Sequence, residues 1–163
     1  MILQYVLLIV GLLCVVAALA LVLRPKWPAA LPAYAALVSL HLSYFIAAPT
    51  STFVFWGIAT AMVVALYHFS PKGEPDGNAA SNLYIGGSTI AGCLLGLIVG
   101  PRIMVLGTVL GAAVGQMAYA RTPAGRWLTE QPATFIRYFC AKCLPAIVAV
   151  AITGIAVEGL IIQ

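Results

Sequence analysis

Residues 90–115 read IAGCLLGLIVGPRIMVLGTVLGAAVG, from Ile90 to Gly115. Glycine returns at every fourth position on both sides of a central Gly100-Pro101-Arg102. Gly92, Gly96 and Gly100 form one series, and Gly107, Gly111 and Gly115 the other. Residues four apart share one face of an α-helix. Ser88, Gly92, Gly96 and Gly100 therefore predict one groove of nearly bare backbone, and Gly107, Gly111 and Gly115 a second. A glycine past a helix end, followed by proline, is a stop signal. The stretch is thus predicted to be a tight, glycine-rich helical hairpin over residues 83–120, with helices at 83–100 and 103–120. Helices in lipid gain nothing by hiding apolar surface from water. They associate through close van der Waals contact, which small residues permit. The hairpin is expected to pack backbone to backbone, and its grooves also offer a surface for a second copy.

Composition places the hairpin in a bilayer. Of 163 residues, 63% are hydrophobic and 7% charged, and the mean hydropathy is +1.08. A soluble domain carries roughly a quarter charged residues, so a water-soluble fold of this size could not cover itself. A crossing helix needs about 20 apolar residues for a ~30 Å hydrocarbon core. Six such segments are expected: 2–23, 29–48, 53–69, 83–100, 103–120 and 145–162. Together they make one all-α, polytopic membrane domain over 1–163. The first lacks a basic start and is too long for a typical signal core, so it is read as a retained membrane helix. Ser70 to Asn82, SPKGEPDGNAASN, is the clearly polar loop, and Ser81 or Asn82 can cap the helix that follows. Residues 121–143 interleave Arg126, Arg137 and Lys142 with Trp127, Phe135, Tyr138 and Phe139, a pattern suited to a helix at headgroup level. Pro145 is expected to turn that stretch inward; the alternative is one long helix from Pro132, kinked at Pro145.

Basic residues set orientation. With both termini extracytoplasmic, Arg24, Lys26, Lys72, Arg121, Arg126, Arg137 and Lys142 all fall on the cytoplasmic side and only Arg102 falls outside. The net charge of +4 thus reflects topology. Nothing in it points to nucleic acid; the expected surroundings are lipid, with a homo-oligomer or a larger membrane complex as partner.

The hairpin, its Gly-Pro turn and the terminal GAAVGQ, Gly111 to Gln116, resemble the bacterial membrane proteins grouped as domain-of-unknown-function family 456. The resemblance covers residues 83–162, and the first half only in helix count. It implies a bacterial cytoplasmic membrane location, a few helices before the hairpin and one after it. A lysine often starts that last helix, a position Lys142 matches. The chain departs from the pattern at Gln116, where the family has glutamate. The family has no assigned activity, so the resemblance implies architecture and no mechanism.

Other residues carry weaker chemistry. Cys140-Ala141-Lys142-Cys143 is a C-x-x-C, a spacing that can chelate a soft metal or form a dithiol. His68 is a candidate third ligand, but a zinc site needs more, so no metal and no cofactor are expected. His41 lies inside a membrane segment, where an ionisable residue is a functional candidate. Gln116, on the hairpin, is read as an interhelical hydrogen-bond donor. Glu158, near the last helix end, can snorkel. No Ser-His-Asp set, phosphate loop or carboxylate pair is present, so a non-enzymatic membrane protein is expected. The alternatives are a small transporter or channel, with a polar path near His41 and Gln116, and a thiol-dependent metal or redox protein.

Overall fold

The computed structural model describes residues 2–24, 28–69, 79–130 and 132–161. Lys26, Trp27, Lys72, Glu74, Asp76 and most of the polar loop therefore lie outside the described residues. The chain is all-helical, with no strand among those described. Five long or medium helices come first: α1 (Ile2–Leu23), α2 (Ala30–Leu42), α3 (Thr50–Phe69), α4 (Ala79–Val99) and α5 (Pro101–Ala120). They are followed by α6 (Trp127–Glu130), α7 (Pro132–Tyr138), a π-helical turn (Phe139–Cys143) and α8 (Leu144–Ile161). Among the described residues, 4 helices are long and apolar enough to cross a membrane: Ile2–Leu23, Ala80–Val99, Arg102–Ala120 and the continuous Pro132–Ile161. Ala30–Leu42 and Thr50–Leu66 are shorter apolar helices. Large side chains such as Ile98, Leu95, Leu110 and Val16 stand exposed on the outside of the bundle. Apolar helices with apolar outer faces suggest a membrane-embedded protein.

Two elements differ from the expectation, each for a local reason. α2 stops at Leu42, well before residue 48. Tyr44 takes a left-handed backbone conformation, φ 62, and its N–H returns to the His41 carbonyl oxygen at 3.0 Å, which closes the helix as an αL cap does. Thirteen residues span only about 20 Å. The non-helical residues after α2 carry the chain onward, and Phe45 reaches Tyr5 near the start of α1, with ring centroids 6.4 Å apart. A left-handed tyrosine is strained, and its side chain is 82% exposed, so it contributes little packing. Tyr44→Gly should therefore raise stability by about 1 kcal/mol, read as a higher melting midpoint in detergent.

The second difference is at Pro145. The helix does not turn there; it runs unbroken from Pro132 to Ile161. Proline lacks an N–H, and in a regular helix its ring strikes the carbonyl four residues back, here that of Ala141. The π-helical turn just ahead of it widens the ladder, and the Leu144 N–H bonds to the Phe139 carbonyl oxygen instead. The wide turn makes room for the ring without a break.

α8 is the hub. It packs against α1, α2, α3, α4 and α5, and every residue from 146 to 154 is buried. A helix apolar all round belongs inside. Around it the elements alternate in direction. At one end, the last turn of α1 meets the start of α4: a Cβ on Gly86 would stand 3.0 Å from the Val22 carbonyl oxygen. The end of α5 and the π-helical turn share that end, joined through Gln116 and Cys143. The other end holds the start of α1, the turn after α2 and the α4–α5 turn. The end of α8 lies there too, with Gly159 against the Ile46 side chain. Arg24, Arg121, Arg126, Arg137 and Lys142 belong to the first end, which we call the basic end, and Arg102 to the second.

Candidate functional site

α4 and α5 meet along their glycines. Position 92 faces position 107 so closely that a Cβ on either would overlap the other's carbonyl oxygen. A Cβ on Gly111 would overlap the Ser88 carbonyl oxygen, and one on Gly115 would stand 2.6 Å from the Tyr84 carbonyl oxygen. At Gly96 the obstacle is Met104, with its Cα at 2.5 Å. Such approach permits Cα–H···O contacts between helices. Gly100 is different. It meets nothing within 4 Å and has φ +148, a backbone region essentially closed to other residues. Its task is the turn, and Pro101 opens α5 where a missing N–H costs nothing. The two glycine faces are consumed within one chain.

Polar groups gather at the basic end, where the π-helical turn passes α5. Gln116 is fully buried. Its Nε2 donates to the Phe135 carbonyl oxygen at 2.9 Å, and its Oε1 accepts from the Cys143 Sγ at 3.2 Å. Cys143 is also fully buried, and Cys140 is half-buried. An aromatic group closes this end. Tyr119 stacks on Tyr138 at 6.3 Å, and Trp127 meets Tyr138 edge-on at 5.6 Å.

Lys142 reaches across from the π-helical turn to α4. Its Nζ donates to Asn82 Oδ1 at 3.4 Å. The pair lies beside a cavity of ≈ 230 Å³ whose other walls include Val22, Pro28, Ile85 and Pro145. α4 begins at Ala79, so Asn82 sits within its first turn rather than capping it. The pairing of Lys142 with Asn82 is not visible in the sequence, because no periodicity links residues 60 positions apart.

His41 lies at the opposite end. Its Nδ1 donates to the Ile46 carbonyl oxygen at 3.0 Å, so that nitrogen carries a proton. The ring packs on Phe53, with centroids 4.6 Å apart. His41 thus holds the turn after α2, and the structure does not bring it to Gln116. His68 ends α3 and is exposed. Among the described residues no group of three or more His, Cys, Asp or Glu is placed to hold a metal ion.

Compared with protein-family models, with curated proteins and with solved structures, the chain matches none.

Proposed function

We propose that this chain is a non-enzymatic integral membrane protein that works by packing, as a scaffold within an assembly of its own copies or a larger membrane complex. One observation supports this over transport: His41 and Gln116 bond at opposite ends of the bundle, His41 to the turn after α2 and Gln116 to α7 and the π-helical turn. A solute path would need its polar groups to line a common route. The glycine faces of α4 and α5 are used internally, so assembly falls to the outer faces of the bundle. Four long helices and two shorter ones fit six crossings, with the non-helical residues after α2 continuing its passage. The positive end of the bundle then faces the cytoplasm and both termini face outward, as in a bacterial cytoplasmic membrane protein resembling family 456.

Topology is tested with reporter fusions after Gln163 and within the loop that holds Lys72. The expected result is an extracytoplasmic signal at Gln163 and a cytoplasmic one in the loop. A cytoplasmic signal at Gln163 overturns the orientation. Assembly is tested by the mass of the detergent-solubilised protein, which should exceed the 17.1 kDa of one chain. A monomer that conducts solute in liposomes would overturn the scaffold.

A further inference from the structure

We propose that the cavity at the basic end is a binding site for the phosphate head of an anionic membrane lipid, held by Lys142 and Asn82. The proposal rests on the membrane placement above. Lys142 is half-buried, and its hydrogen-bond partner among the described residues is a neutral amide oxygen at 3.4 Å, longer than a good N–H···O bond. No carboxylate among the described residues pairs with it. A part-buried ammonium gains from an anion placed beside it. Asn82 spends its oxygen on Lys142 and keeps its Nδ2 donors for a second oxygen of the same group.

Size and lining select the rest of the ligand. The volume of ≈ 230 Å³ is below the roughly 300–1,000 Å³ of pockets that enclose a whole ligand. It suits part of a molecule, with the remainder outside in the bilayer. The walls of Val22, Pro28, Ile85 and Pro145 are apolar, which favours a head attached to hydrocarbon over a free anion. Depth agrees. The cavity lies where α1 ends and where α2, α4 and α8 begin, at the level of Tyr84, Tyr119, Tyr138 and Trp127. Of these, Tyr84 and Trp127 reach the surface, where such aromatic groups mark the headgroup region. Arg24, Arg121, Arg126 and Arg137 lie at the same end and concentrate acidic lipid there, and basic pockets between crossing helices are suited to phosphate heads.

The full chain, purified in a neutral detergent, is titrated with phosphatidylglycerol, with phosphatidylcholine of the same acyl chains, and with inorganic phosphate, while the melting midpoint is followed. Phosphatidylglycerol should raise the midpoint and the other two should not. Lys142→Gln should weaken the apparent affinity for phosphatidylglycerol at least about fivefold, and Lys142→Arg should retain most of it. Arg137→Gln, a basic change at the same end but outside the cavity, should leave it near the parent value. Asn82→Leu gives a second variant should Lys142→Gln fail to fold. Equal affinity in the parent and Lys142→Gln overturns the site. So does an equal loss in Arg137→Gln, which would mean general surface attraction, or an equal effect of inorganic phosphate, which would mean a soluble anion. A chain that stays folded and soluble without detergent would instead overturn the membrane placement itself.

Discussion

Gly92→Ala should lower the melting midpoint of the detergent-solubilised protein, while Gly87→Ala on the same helix should leave it unchanged or raise it. The chemical change is identical, and both exchanges gain about 1 kcal/mol of intrinsic helix propensity. Only the surroundings differ. A Cβ at Gly87 meets nothing within 4 Å. One at Gly92 overlaps the Gly107 carbonyl oxygen and lies 3.0 Å from its carbon and 3.1 Å from Gly111 Cα. Overpacking costs about 1–3 kcal/mol when side chains can adjust. Here the obstacle is backbone on both sides, so α4 and α5 must separate along the groove and forfeit many small dispersion contacts. The net loss should lie at the upper end, about 3 kcal/mol, or roughly 6–12 °C for a chain of this size. Equal melting of the two variants would mean that the hairpin opens freely and that the glycine spacing serves another surface.

The same glycines show how much of the fold the residues declare in advance. Four-residue spacing and a Gly-Pro break are local signals, and they place α4, α5 and the turn between them within a few residues. α1 is equally plain, because an unbroken apolar run has one reading in a membrane. The end of α2 is illegible for the opposite reason. It depends on Tyr44 adopting φ 62, a conformation no propensity assigns to tyrosine. The continuity of α7 into α8 is hidden too, because proline is a breaker by rule and a π-helical turn is a rare remedy. That α8 forms the core is visible only faintly, in its apolar character all round. The candidate sites divide likewise. Gln116 donates between helices in the structure, but its partners lie 19 and 27 positions away. The Lys142–Asn82 pair depends on how α4 and the π-helical turn lie side by side, and the sequence alone carries no sign of it.

Gln116→Leu should destabilise the protein by about 1–2 kcal/mol. The amide is fully buried and ties three elements: α5, which carries it, α7 through the Phe135 carbonyl oxygen, and the π-helical turn through Cys143. Leucine removes both bonds at once and leaves the buried thiol only its longer contact with the Ala112 carbonyl oxygen, at 3.8 Å. Removing one partner of a buried pair costs about 1–3 kcal/mol in water-soluble proteins. Interhelical bonds in bilayers average about 0.6 and reach about 1.7 kcal/mol, so the two bonds together fall in the lower half of the first range. Cys143→Ala loses the weaker donor, since a thiol hydrogen bond is feeble, and opens a small cavity. The double variant should cost less than the sum of the two single changes, because both remove the same contact. This cycle also separates scaffold from transporter. In a scaffold, any loss of function on changing Gln116 should follow the loss of stability and be restored by conditions that restore folding. A Gln116→Leu protein that melts like the parent yet stops moving a solute would place the amide on a wet path, with water replacing its bonds, and the transport alternative would then displace the scaffold.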